Sequence, residues 1–263
     1  MRVDVHTHVV PERWQDWAAR CGGGNWPRLE HRDDCRATIF TGAQFFRDID
    51  DRSWNPTRRL EDMDRLRIDV QALSPPPVMF CYWADAKANQ GFARMQNANV
   101  AEIVAKHPKR FVGMATVPLQ APALAIEELR HARERLGLSA VEIGTCPGGR
   151  DFDDPALFEF FAACVDLDVA VFVHPAAPLI GLDRMKKYYF PLIVGNPLET
   201  GWPSPRSSSA ACSSGCRGCA SASPTAAARF RSPWRGSTTA GPCGPRGRLP
   251  FRASRASTRG ASG

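Results

Sequence analysis

A chain of 263 residues with 43% hydrophobic and 23% charged side chains is long enough for one α/β-barrel-sized domain and falls in the ordinary globular range. No run of about eighteen apolar residues occurs, which excludes a membrane-spanning helix at the level of sequence; the start, Met1-Arg2-Val3-Asp4, has no apolar signal region, and the nine cysteines are scattered, so reduced thiols and a cytoplasmic location are expected. The net charge of +7 belongs to one end: residues 201–263 hold ten arginines and no acidic residue, whereas residues 1–200 carry 24 Lys and Arg against 27 Asp and Glu, which leaves the body without the basic footprint of a nucleic-acid binder.

In chain order, residues 2–5 form a short apolar-rich run and a first expected strand. A longer insertion follows, with a small hairpin expected within about residues 28–52, made of 37–40 and 44–49 around Thr41-Gly42. Further strands are expected at 70–73, 111–117, 140–143 and 170–173. Between them, 86–106, 123–136 and 155–167 read as helices. The clearest has Ala125, Leu129, Ala132 and Leu136 on one face, with Pro122 at its start. The last three strand starts lie about 29 residues apart, the length of a βα unit. This alternation implies a parallel sheet, doubly wound or closed as a barrel.

After Thr200 the composition changes. Of the 63 residues from 201 to 263, fifty are Ala, Gly, Pro, Arg or Ser, with one Leu and no Ile, Val or Met. Such a segment buries too little apolar surface to offset its ordering entropy, so a disordered low-complexity tail is expected. Its amino acids are also largely those that G+C-rich codons specify, as a shifted reading frame would give. Cys212, Cys216 and Cys219 resemble a zinc knuckle only faintly, since no histidine follows.

The chemistry is concentrated in three histidines. His6 and His8 are alternate residues at the end of the first strand, so their rings are expected on one face. His174 ends the fifth parallel strand, Val171-Phe172-Val173-His174. Alone it would be a core histidine as readily as a ligand. With the pair it makes a Zn²⁺ site of three imidazoles with an open position, at the strand ends where barrel enzymes place catalytic groups. His31, His107 and His131 are expected at the surface, Asp151, Asp153 and Asp154 as capping or solvated groups, and Cys81, Cys146 and Cys164 as packing residues.

Several strings carry a resemblance: Val-Asp-Val-His-Thr-His (3–8), Phe-Arg (46–47), Pro-Val-Met-Phe-Cys-Tyr-Trp-Ala (77–84), Arg-Phe-Val-Gly-Met-Ala-Thr-Val-Pro-Leu-Gln-Ala-Pro (110–122), Glu-Ile-Gly-Thr (142–145), Phe-Val-His-Pro (172–175) and Arg-Met-Lys-Lys-Tyr (184–188). Through them residues 1–200 resemble the metal-dependent decarboxylase branch of the amidohydrolase superfamily, the aminocarboxymuconate-semialdehyde decarboxylase-like group. The resemblance implies a (β/α)8 barrel, here incomplete, with Zn²⁺ or another divalent metal held by His6, His8 and His174. In that family a metal-activated water adds to the conjugated system of the substrate, whose carboxylate is then lost as CO₂, and the resemblance implies the same for a small unsaturated or aromatic carboxylate here. Arg47, following Phe46, would hold a substrate carboxylate bidentately; its alternative is a solvated arginine beside Asp48 and Asp50. Relatives of this kind are often homodimers. Where they have tryptophans that shape the pocket, this chain has Ala176 and, at about the matching place, Leu192. The alternatives are a hydrolase of the same superfamily, a binding protein acting through its basic tail, or a non-functional truncated product.

Two groups of that family are missing: a proton-shuttling histidine in a Phe-Ala-His-Gly-Gly-Gly-Ala-Phe-Pro-Phe segment, and a late aspartate that completes the metal site. No histidine follows His174, and the last acidic residue is Glu199. Residues 223–232, Ser-Pro-Thr-Ala-Ala-Ala-Arg-Phe-Arg-Ser, read one base earlier as NTC NCC NAC NGC NGC NGC NCG NTT YCG NTC. Those triplets permit the whole missing histidine segment. A shifted frame beginning near Thr200 is therefore expected, and with it a poorly soluble, inactive chain, because five strands do not close an eight-stranded barrel.

Overall fold

The computed structural model describes residues 1–176, 181–185 and 187–201. The elements run β1 (Val3–His8), α1 (Trp17–Arg20), β2 (Pro27–Asp33), β3 (Arg36–Thr41), β4 (Gln44–Asp50), α2 (Pro56–Leu66), β5 (Val70–Ser74), α3 (Ala86–Lys106), β6 (Phe111–Ala115), α4 (Pro122–Glu134), β7 (Ala140–Gly144), α5 (Phe158–Asp166), β8 (Ala170–His174) and α6 (Asn196–Gly201). The expected tail, its cysteines and the segment read in another frame lie outside the described residues, apart from Gly201.

β1, β5, β6, β7 and β8 pair in that order, all in parallel. This is an α/β half-barrel, an incomplete (β/α)8 barrel. Alternation along the strands decides its two faces. Leu73, Phe111, Ala115, Val141 and Ile143 join Val100, Leu129, Leu157 and Phe160 from the helical layer in the main core. The opposite residues, Ala72, Met114 and Ala140, line the concave face with Ala170 and Phe172. Among the described residues β1 and β8 each have one strand neighbour, and Val3 and Val5 of β1 are exposed. Among the same residues no helix is long and apolar enough to cross a membrane.

Helix α3 lies so close to the sheet that Gly113 admits no side chain. A Cβ there would meet Leu138 Cδ2 at 2.5 Å and Val100 Cγ1 at 2.8 Å. The contact is locked by a buried polar network. Asn97 on α3 donates to Thr116 O (2.9 Å) and to Glu128 Oε1 (2.9 Å), and accepts from Thr116 N–H (2.8 Å). Glu128 is fully buried and is also held by Arg94; burial nevertheless pushes its carboxyl above the usual range. Asn97→Ala leaves several of these groups unpaired and is expected to cost about 2–3 kcal/mol, read from the shift of the urea midpoint at unchanged slope.

The parallel strands and the three expected helices fall where the sequence places them, with small differences at the ends. Residues 155–167 begin as a 3₁₀ turn, Pro155–Leu157, capped by Asp154, before α5. The insertion is more than a hairpin: β2 adds to β3 and β4 in a three-stranded antiparallel sheet. β2, Pro-Arg-Leu-Glu-His-Arg-Asp, hides its strand character in long charged side chains. The Arg28 guanidinium stacks 4.4 Å from the Phe40 ring centroid and pairs with Glu30, covering the sheet with its stem. The three other histidines are half-buried rather than at the surface: His31 packs edge-on to Trp54 and bonds Glu12 O, and His107 caps α3 against Phe111. Cys81 and Cys164 are buried and Cys146 half-buried, in keeping with packing.

Candidate metal centre

β1 and β8 are opposite edges of the sheet, yet their histidine rings meet. Ring centroids lie 5.1 Å apart for His6 and His8, 4.9 Å for His6 and His174, and 5.3 Å for His8 and His174. Edge strands of a flat five-stranded sheet stand some 19 Å apart at about 4.8 Å per strand, so the sheet must curl about the barrel axis. A register shift in β1 between Asp4 and Thr7 lies beside the first histidine; such bulges re-aim side chains next to sites.

A fourth group joins them. Glu142 projects from the middle of β7 to the concave face, and one donor atom from each of His6, His8, Glu142 and His174 lies within 4.8 Å of the others. Glu142 is fully buried, and neither carboxylate oxygen has a hydrogen-bond partner among the described residues. Burial pushes its carboxyl up to about 8, with the nearby Ser74 hydroxyl pulling the other way. His8 Nδ1 stands 4.0 Å from its Oε2, too far for a hydrogen bond.

The imidazoles are oriented by their own shell. His174 Nδ1 lies 2.7 Å from Pro175 O. That carbonyl can only accept, so Nδ1 carries the proton and Nε2 keeps its lone pair. Ser74 Oγ donates to Thr7 O and therefore accepts from His8 Nδ1, 3.2 Å away, which frees His8 Nε2 as well. Arg59 of α2, half-buried, donates to His8 O at 2.6 Å and to Gln71 Oε1 at 3.3 Å. Burial lowers its pKa to about 10. Three nitrogen donors and one buried, partnerless carboxylate are the donor chemistry of a divalent transition metal, and the residues fit such an ion.

Burial pushes His8 down to about 3, helped by the neighbouring His174 and His6 rings. A histidine whose folded pKa lies below its ordinary 6.5 stabilises the fold when neutral, and that contribution is lost as pH falls below 6.5 toward 3. The metal-free protein is expected to melt at progressively lower temperature across that window. The decline should be shallower in His8→Asn, as followed by circular dichroism.

The other expected residues stand apart. Phe46 and Arg47 lie on β4 of the small sheet, both exposed, with the guanidinium 5.7 Å from the Phe46 centroid. Among the described residues neither has a ring or hydrogen-bond contact with the three histidines. Ala176 follows the His174-Pro175 step, and its N–H donates to Thr145 Oγ1 at 3.3 Å. A Cβ on Gly144 would meet Ala176 Cβ and Tyr82 Cε2, each at 2.9 Å. Leu192 is exposed. The missing shuttle histidine and late aspartate concern positions outside the described residues. Sequence reasoning gave no role to Glu142, Ser74 or Arg59. For Glu142 the signal was present: a carboxylate inside the strand run Ala-Val-Glu-Ile-Gly, where charge is rare.

The comparisons point one way. A family model described as amidohydrolase matches residues 3–231. A 2-amino-3-carboxymuconate-6-semialdehyde decarboxylase of Dictyostelium discoideum is 39% identical over 200 residues, 76% of this chain and 55% of that protein. A gamma-resorcylate decarboxylase of Rhizobium sp. is 30% identical over 68% of this chain and 51% of its own. Among solved structures, a dihydroxybenzoic acid decarboxylase from Polaromonas sp. JS666, with bound manganese and 2-nitroresorcinol, matches with a TM-score of 0.55 and 27% identity, over 62% of this chain and 52% of that one. The chain thus spans about half the length of the relatives it matches.

Proposed function

Because this chain belongs to the amidohydrolase family, we propose that it is the front part of a metal-dependent, non-oxidative decarboxylase of small unsaturated or aromatic carboxylates. The observation that carries this reading is the cluster of His6, His8 and His174 with Glu142 on the concave face of a half-barrel, in a chain whose relatives are named decarboxylases.

His6, His8 and His174 are assigned to hold the ion, zinc or another divalent metal; a relative with bound manganese supports the wider choice. When bound, such an ion supplies Lewis acidity and draws the pKa of a water toward neutrality. The residues of this chain do the rest. Pro175 O and Ser74 fix which nitrogens of His174 and His8 face inward, so the tautomers of these two rings are set before binding. Arg59 holds the His8 backbone. Arg47, with Phe46 at its flank, is assigned to the substrate carboxylate, its exposed guanidinium being free to form a bidentate fork. A homodimer and residues 201–263 read in another frame belong to the same proposal.

The test is an assay of the metal-supplemented protein, carrying its tail in the alternative frame, with 2-amino-3-carboxymuconate semialdehyde and with dihydroxybenzoates. Release of CO₂ that stops on chelation supports the decarboxylase. Release of an acid or amine without CO₂ from ester or amide substrates assigns the hydrolase branch instead.

A further inference from the structure

We propose that Glu142 is itself a ligand, so that the described residues alone supply four protein donors to the ion, three imidazoles and one carboxylate. The inference rests on the reading of this cluster as a metal centre, and goes beyond the three histidines that the sequence singles out.

Position argues first. On β7, Val141 and Ile143 turn outward into the main core while Ala140 lines the concave face. Strand alternation therefore puts Glu142 on that face. β7 is the immediate neighbour of β8, with Gly144 opposite His174. Two donors sharing one zinc at about 2.1 Å each are at most about 4.2 Å apart. The four donor atoms already lie within 4.8 Å of one another, so small side-chain rotations suffice.

Chemistry argues second. A fully buried carboxyl that makes no hydrogen bond among the described residues is costly to ionise in a protein interior unless a cation compensates it. His8 Nδ1 is engaged by Ser74 and stands 4.0 Å away. Among the described residues the one charged partner within 4.0 Å of Glu142 is His8, and no Lys or Arg pairs with it. A metal ion held by the three histidines is the compensating charge. Glu142 then supplies from within the half-barrel the anionic donor that the chain as written does not supply after Glu199.

The rival role is a positioning one, with Glu142 acting on His8 through Ser74 and never touching the ion. Titration of the full metal-free chain with Co²⁺, followed by its visible absorption and by competition with Zn²⁺, separates the two. The native chain is expected to bind one equivalent with a four-coordinate cobalt spectrum. Glu142→Gln and Glu142→Ala should each lose at least about 100-fold in affinity, beyond the 10–100-fold that loss of an outer-shell partner costs, with the cobalt band shifted. The metal-free Glu142→Gln variant, which keeps the buried volume, should melt near the native chain, whereas Glu142→Ala leaves a cavity; the Gln variant therefore separates lost ligation from lost fold. If both variants keep the native cobalt spectrum and bind within about threefold of native, Glu142 is not a ligand. If in that case His174→Ala still abolishes binding, the metal centre stands and the Glu142 inference alone is overturned. A native chain that binds no cobalt overturns both.

Discussion

Translating residues 201–263 in the frame one base earlier is expected to raise decarboxylase turnover by at least about 10²–10⁴-fold, the contribution of a positioned general acid–base. The expectation combines two observations: the chain as written has no histidine after His174, and the bases implied by residues 223–232 permit a Phe-Ala-His-Gly-Gly-Gly-Ala-Phe-Pro-Phe segment. The first measurement is the DNA sequence from the codon of Val194 onward. A gained or lost base near Thr200 predicts that the repaired protein is active and the present chain inert. If the DNA reads as given and the present chain still releases CO₂ at the rate of the repaired version, the shuttle argument and the frame argument fall together.

His174→Ala is expected to abolish tight binding of a divalent cation, with affinity lower by at least about 100-fold, while the metal-free fold melts near its native temperature. The reason is location. His174 closes β8, where its ring is half-buried rather than part of the apolar core, so its removal leaves no large cavity. His6→Ala should behave alike. Equilibrium dialysis against Zn²⁺ or Mn²⁺, with metal content measured on the retained protein, is the readout. Unchanged metal content in both variants would reduce the cluster to histidines packed by chance.

The parallel strands were legible because each is a short apolar run between helices of clear periodicity, and 86–106 coincides with α3. β2 was not, because its strand character lies in pairing with β3 and in arginine stems that cover aromatic surface. α2 was missed because its sequence, Pro-Thr-Arg-Arg-Leu-Glu-Asp-Met-Asp-Arg-Leu, shows few apolar positions. Its start was nonetheless written in Asn55-Pro56, where the Asn55 side chain accepts from Thr57 N–H and Arg58 N–H. At the site, strand alternation makes the His6–His8 pair visible. The approach of His174 depends on curvature of the sheet, a property of five strands together. Arg59 is invisible to any local rule, since its partners His8 and Gln71 are 51 and 12 residues away.

Among the described residues the half-barrel has two open edges. Among the same residues β1 and β8 each have one strand neighbour, so their outer backbone groups lie along the lines where further parallel strands would dock. The concave face between them is already shaped, with its histidines converged. A separately made polypeptide carrying the last three β/α units of a relative would therefore find a template rather than a disordered partner. Complementation in trans, assembling one barrel from two chains, is the behaviour that such an arc encodes.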